Sequence, residues 1–216
     1  MKLRKDWSLA YLLLYICQIG YWLIIIGVGA ELIMNTAFMS QERVVINDIS
    51  VHLELQQFEE YNDIELENIR LNIHEDMESQ VQISGPYDEI KSAFFFFNGL
   101  KLYENIVFFI ILFMLSKVLR SVAEGDPFQA KNSSHLYVIG WTLIISSIIN
   151  ISFQFMSAGH FISLPLFSDL ALPEGIDITS LNLFGKDFLM NGIFIIVLGY
   201  VFKEGARIYE EQKLTV

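Results

Sequence analysis

The chain holds a single cysteine, Cys17, among its 216 residues. One thiol excludes an intrachain disulfide and leaves no cysteine-based metal site. Set in an apolar run, Cys17 reads as a small core or lipid-facing residue. Charge is also scarce: 18% of residues are charged, against about 25% in soluble domains. Bases are scarcer than acids, 14 against 25, so the formal charge is −11. That sign excludes a basic nucleic-acid binder. Catalytic signatures are missing as well. There is no Gly-x-Ser-x-Gly elbow, no phosphate-binding P-loop and no Gly-x-Gly-x-x-Gly turn. His52, His74, His135 and His160 fall in separate segments without metal-ligand spacing. The acids show no Asp-x-Asp-x-Asp-Gly calcium loop. Neither an enzyme nor a cofactor or metal site is expected.

What the chain has in quantity is apolar residues, 53% of the total, which excludes a disordered acidic chain. They come in blocks. Trp7–Ala30 is 24 residues without a charge, enough to cross a bilayer core that needs about 20. The rival reading is a cleaved signal peptide, with Lys2, Arg4 and Lys5 as its basic start and Val28-Gly29-Ala30 as its cleavage pattern. The run exceeds the roughly 7–15 apolar residues of such a peptide, so a retained span is expected. A second block holds Phe94–Phe97, then Lys101 and Glu104, then 12 uncharged residues from Asn105 to Ser116. One helix over 93–120 is expected, with Lys101 and Glu104 near one end. They stand at i,i+3 and can pair, and Lys101 can snorkel to the interface. In the third block Asn132–Ser168 is uncharged and Leu136–Met156 has helical length. Asn132, Ser133 and Ser134 read as caps, and Pro165 argues against a continuous helix beyond Gly159. Phe188–Phe202, 15 uncharged residues, supplies a fourth span.

Four spans put the two ends of the chain on one side. Lys2, Arg4 and Lys5, then Lys117, Arg120 and Lys131, then Lys203, Arg207 and Lys213 place nine of the 14 bases there. The positive-inside rule makes that side cytoplasmic. Glu31–Lys91 is then outside. It carries 14 acids against three bases, which is the whole net charge of −11, and the remainder sums to zero. The segment is too long for a plain connection. Val51, Leu53 and Leu55 alternate with His52, Glu54 and Gln56; Ile69, Leu71 and Ile73 alternate with Arg70 and Asn72; Val81 and Ile83 flank Gln82. This alternation reads as three or four half-buried antiparallel strands, with Gly85-Pro86 as the closing turn.

Lys101 and Glu104 are ionisable groups at or near membrane depth, a functional signal by default; the plainer reading is an interfacial ion pair. Gln18, Asn150 and Gln154 are mid-span polar residues, the last two on one face of the third helix, and such residues commonly join helices by hydrogen bonds. A transport pathway would want more polar groups and helices broken at matching positions. Gly125-Asp126-Pro127 is a turn signal. Phe128 is an apolar residue in a polar loop, placed to dock under the bundle or to meet a partner. After Phe202 the tail continues the fourth helix and ends in a β-prone Leu214-Thr215-Val216, which frays or pairs with something.

Glu124-Gly125-Asp126-Pro127-Phe128, followed by Asn132 and Gly140-Trp141, resembles the pattern of a bacterial family of four-helix membrane proteins, domain-of-unknown-function family 2975. The ending Val201-Phe202-Lys203-Glu204-Gly205-Ala206, then Glu210-Glu211-Gln212 and Leu214-Thr215-Val216, is similar to that family's ending. The family's basic Leu-Arg pair before the Gly-Trp is replaced here by His135-Leu136-Tyr137. The resemblance implies a fold and a topology but no activity. A small helix-turn-helix regulator, often encoded beside such genes, is the partner it suggests.

The expected fold is a membrane α-helical bundle: four transmembrane helices with a small β-structured extracytoplasmic insertion between helices 1 and 2. In order, 1–30 holds a cytoplasmic N-terminus and the first span, 31–92 the acidic β-rich module and 93–120 the second span. Then come a cytoplasmic loop at 121–135, the third span at 136–157, an outer loop at 158–184, the fourth span at 185–204 and a cytoplasmic tail at 205–216. The expected setting is a bacterial inner membrane with both termini cytoplasmic. The expected function is that of a sensor or regulator. Its loop (Gly125, Asp126, Pro127, Phe128) and tail (Glu210, Glu211, Gln212, Leu214, Thr215, Val216) would dock a cytoplasmic partner. One alternative is a small transporter or channel subunit using Lys101, Glu104, Asn150 and Gln154. A second is a structural or immunity-type membrane protein whose outer module blocks an attacker. The partners are then the lipid bilayer, the regulator and, with the oligomeric state open, a second copy; no direct contact with nucleic acid is expected.

Overall fold

The computed structural model describes residues 9–38, 43–55, 63–65, 69–72, 78–157, 176–181 and 188–214, with side chains over 9–37, 94–152 and 188–212 and at 87 and 91. Four helices carry it: α1 (Leu9–Phe38), α2 (Tyr87–Ala123), α3 (Ala130–Ser157) and α4 (Phe188–Leu214). Each contains a stretch long and apolar enough to cross a membrane: Leu9–Ala37, Phe94–Ala123, Ala130–Ser152 and Phe188–Gln212. The reason is elementary. An apolar segment in lipid must satisfy its own backbone hydrogen bonds, and a helix does so within itself. The 37 residues of α2 extend about 55 Å, well beyond a hydrocarbon core of about 30 Å, so α2 continues into polar surroundings.

The helix ends depart from the sequence expectation for local reasons. α2 starts at Tyr87, directly after Pro86, so Gly85-Pro86 leads into a helix instead of closing a turn. α3 starts at Ala130, ahead of Asn132–Ser134, because the Asn132 amide is engaged by the preceding turn and does not cap. α4 runs through Leu214, so that residue is helical backbone; Thr215 and Val216 lie outside the described residues.

The chain divides into two compact units, Met1–Ala30 with Tyr103–Ile148 and Lys186–Val216, and Glu31–Leu102 with Ile149–Gly185. In the second, the backbone strands β1 (Arg43–Leu55), β2 (Asp63–Glu65), β3 (Ile69–Asn72), β4 (Glu78–Pro86) and β5 (Ile176–Leu181) pair antiparallel in the order β2-β3-β4-β1-β5. β1 breaks register between Ile46 and Ile49 against β4, and between His52 and Leu53 against β5. β5 belongs to the α3–α4 connection, read from sequence as a loop; Ile176 and Ile178 around Asp177 were its short alternating signal. In this unit Asn35 Nδ2 donates to Asn98 Oδ1 at 3.1 Å, joining α1 to α2, and Asn98 Nδ2 donates to Phe94 O at 2.7 Å.

In the first unit α2, α3 and α4 share a core. Val118, Leu136, Ile139 and Leu143 are buried, with Ile111, Met114, Leu115, Phe188, Ile195 and Phe202 packed against them. α1 meets α2 at Gly20, where a Cβ would sit 3.0 Å from Leu112 Cδ1. Tyr21 sets its ring edge-on against Phe109 and Phe113. Leu14 and Cys17 are buried on α1. The outward faces are apolar as well: Trp22, Leu23, Ile26, Met190 and Phe194 are each more than half exposed. Continuous apolar faces of this kind suit lipid, where they need no cover.

Candidate functional site

The most fully built polar structure in the first unit is the turn between α2 and α3. Gly125 N–H donates to Val122 O at 3.1 Å and Asp126 N–H donates to Ser121 O at 3.0 Å. These two bonds make a Schellman motif, which needs a left-handed residue just past the helix. Gly125 supplies it at φ +87°, at no steric cost because it has no Cβ. Pro127 follows, where a helix cannot continue. Side chains then tie the turn. Ser121 Oγ donates to Asp126 O, and Gln129 Nε2 donates to an Asp126 carboxylate oxygen at 2.9 Å. Asn132 is 1% exposed. Its Nδ2 uses both protons, on Ser121 Oγ at 2.8 Å and on Pro127 O at 2.8 Å. A buried amide that served the turn less fully would be costly.

This tied turn is seated on α4. The Phe128 ring lies against Gly205: a Cβ at that glycine would fall 2.6 Å from Phe128 Cδ1 and 2.8 Å from Cε1. The ring also meets Phe202, with centroids 5.7 Å apart. Of the two fates the sequence leaves open for Phe128, docking within its own chain is one it meets, yet 41% of the residue remains exposed.

The seat holds because α3 and α4 approach closely. Cβ atoms at Gly140 and Gly192 would each fall 2.9 Å from the other's carbonyl oxygen, so backbone meets backbone there. Further along, Ser133 Oγ donates to Gly199 O at 2.9 Å. Ser133, Gly140 and Ser147 on α3 recur at heptad spacing, as do Gly192, Gly199 and Ala206 on α4, and all six are buried. Small residues at this spacing let helices pack closely in lipid, where contact and hydrogen bonding replace the hydrophobic effect. The sequence reading weighed apolar mass and so passed over this pattern, although it is written in the spacing.

Beyond Gly205, Ile208 and Tyr209 lie one turn on, adjacent to the glycine's face, and are 50% and 38% exposed. Arg207 pairs with Glu204 at 2.9 Å and with Glu211 at 3.9 Å; exposed pairs of this kind contribute little. Glu210, Glu211 and Gln212 are exposed, while the Leu214 side chain, Thr215 and Val216 lie outside the described residues. The membrane-depth residues sit elsewhere. Lys101 and Glu104 are half-buried one turn apart on α2, and Asn150 is buried on α3; the Gln154 side chain lies outside the described residues. Tyr103 OH donates to Ser146 Oγ at 3.3 Å and Ser146 Oγ donates to Thr142 O at 2.7 Å, a polar link from α2 to α3. Among the described residues no three His, Cys, Asp or Glu side chains are grouped to hold a metal ion.

Four helices long and apolar enough to cross a bilayer, joined by a tied turn and a small-residue seam, define a multi-pass helical membrane protein. Residues 102–216 match the family model described as "Protein of unknown function (DUF2975)", and the chain belongs to that family. The matched stretch holds the turn, the Asn132 clasp, the seam and the Phe128 seat. No curated protein and no solved structure matches the chain.

Proposed function

We propose that this is a regulatory protein of a bacterial inner membrane, with no catalytic role, whose α2–α3 turn and α4 end together dock a cytoplasmic partner. Both termini and the turn lie on the cytoplasmic side, and the acidic segment 31–92 forms a β-rich extracytoplasmic module that receives the signal. The observation carrying this reading is the fixed seat of Phe128 on Gly205. The half-exposed ring and, one turn beyond the glycine on α4, Ile208 and Tyr209 are exposed apolar residues, with Arg207, Glu210 and Glu211 exposed beside them on the helix. An apolar centre with a charged rim is the make-up of a docking surface. A small helix-turn-helix regulator is the partner that the family resemblance brings.

The test is recovery of partners from native membranes with the full-length tagged protein and with Ile208→Glu, which charges the patch without touching the seat. The intact protein is expected to bring down a helix-turn-helix protein that the variant loses. Recovery of the same proteins by both would refute the docking surface. A second reading, a transporter subunit, draws on the half-buried Lys101 and Glu104 and the buried Asn150. Proton or cation flux in reconstituted vesicles that Glu104→Gln leaves unchanged would remove it.

A further inference from the structure

Three basic side chains come together at the end of the bundle that carries the α2–α3 turn. The Ser121–Asn132 hydrogen bond fixes the antiparallel register of α2 and α3. One turn deeper on each helix, Lys117 on α2 stands level with His135 and Leu136 on α3. Lys131 lies one turn before His135 on the same face of α3. Both lysines are within electrostatic reach of the His135 ring. They also reach the surface: Lys117 and Lys131 are exposed and His135 is half-buried. The buried Nδ1 of His135 makes no hydrogen bond among the described residues. A proton on Nε2, the opposite edge of the ring, is therefore the form that offers a donor to something outside.

The Asp126 carboxylate accepts from Gln129, and Glu204 on α4 pairs with Arg207. Among the described residues neither Lys117 nor Lys131 forms an ion pair. The cluster stands where the uncharged runs end, the level at which a lipid headgroup would lie. On α2 the uncharged stretch Asn105–Ser116 ends immediately before Lys117, and on α3 the apolar run starts at Leu136. The Lys117 ammonium lies 4.4 Å from the centroid of the Phe113 ring. Its stem thus follows apolar surface one turn toward the uncharged stretch, from which the long side chain can swing back to the boundary.

We propose that Lys117, Lys131 and His135 form a headgroup site for an anionic phospholipid, with both ammonium groups on the phosphate and the His135 Nε2–H donating to a phosphate oxygen. The site is separate from the partner surface on α4 and needs no cytoplasmic protein.

The test uses the full chain in bilayers of phosphatidylcholine mixed with phosphatidylglycerol, with native mass spectrometry of the released protein counting the lipids it retains. Wild type is expected to enrich phosphatidylglycerol, each lysine contributing roughly fivefold. Lys117→Gln combined with Lys131→Gln is expected to bring the two lipids to parity. The corresponding double arginine variant is expected to keep the enrichment, which separates loss of charge from loss of fold. His135→Phe preserves both charges and the ring volume and is expected to lower the enrichment in part. Unchanged enrichment in the double glutamine variant would overturn the site. Inorganic phosphate is the second arm: it is expected to leave the bound phosphatidylglycerol in place. Displacement of the lipid by inorganic phosphate would overturn the lipid assignment in favour of a free anion.

Discussion

Asn132 has the smallest exposed surface of any residue in the turn. The amide reaches Ser121 and Pro127 with both protons, so its loss leaves one buried and one part-buried oxygen short of a donor. Asn132→Ala is expected to lower stability by about 2–3 kcal/mol, seen as an earlier unfolding midpoint in mild detergent. Ser121→Ala, which leaves the Pro127 carbonyl served, is expected to cost about 1 kcal/mol. An Asn132→Ala effect within about 0.5 kcal/mol, the range of ordinary surface changes, would mean the clasp is idle. Gly125 is a second single-residue test. At φ +87° any side chain is strained, so Gly125→Ala is expected to cost about 1 kcal/mol, and Gly125→Asn less because asparagine tolerates that conformation. At this scale the turn was legible, because Gly-Asp-Pro has few other uses. The role of Asn132 was not. A polar residue ahead of an apolar run looks like a cap, and only the folded turn reveals that its amide is needed elsewhere.

Among the elements, α3 and α4 depend on size more than on hydrophobicity. At Gly140 and Gly192 a side chain would meet, besides an isoleucine side chain, the opposing glycine's carbonyl oxygen at 2.9 Å, a backbone atom that cannot swing aside. Gly192→Leu is expected to separate the helices and to cost more than about 3 kcal/mol, the scale of severe overpacking, with loss of folded protein on purification. Gly199→Ala is milder, since its Cβ would meet the Tyr137 ring at 3.3 Å, a contact that small adjustments relieve. Gly27→Leu on α1, with nothing within 4 Å, is expected to be neutral to within about 0.5 kcal/mol. Equal effects of the three substitutions would contradict the seam. The helices themselves were legible because long uncharged runs have few other fates, and the Trp7–Ala30 run falls within α1 and the residues just before it. The seam was legible in principle, as two heptads of small residues. Hydropathy conceals it, because glycine and serine add almost nothing to an apolar sum.

At the scale of the molecule, charge and contact divide the chain in different ways. The net charge resides wholly in Glu31–Lys91, whereas Lys117, Arg120, Lys131, Lys203 and Arg207 gather where α2 ends, α3 begins and α4 ends. Single cysteines placed at Gly125, Glu210 and Glu60 in a Cys17→Ser background test the resulting sidedness in sealed vesicles. The first two are expected to react from the cytoplasmic face and the third from the opposite face; Gly125 and Glu210 on opposite faces would contradict it. The sidedness under test is an expectation from the bases alone. The seat of the turn was not, because Phe128 and Gly205 are far apart in sequence and meet only once α3 and α4 have closed along the seam. That contact is the centre of the account, since it makes two separate segments one surface. Its most direct measurement is a double-mutant cycle of Gly205→Ala and Phe128→Ala, read as unfolding free energy in mild detergent. With Phe128 present, the new methyl displaces the ring and offsets the gain in helix propensity. With Phe128→Ala, that gain of about 0.5–1 kcal/mol remains alone. The account predicts a coupling of about 1 kcal/mol between the two sites, and additivity within about 0.3–0.5 kcal/mol would contradict it.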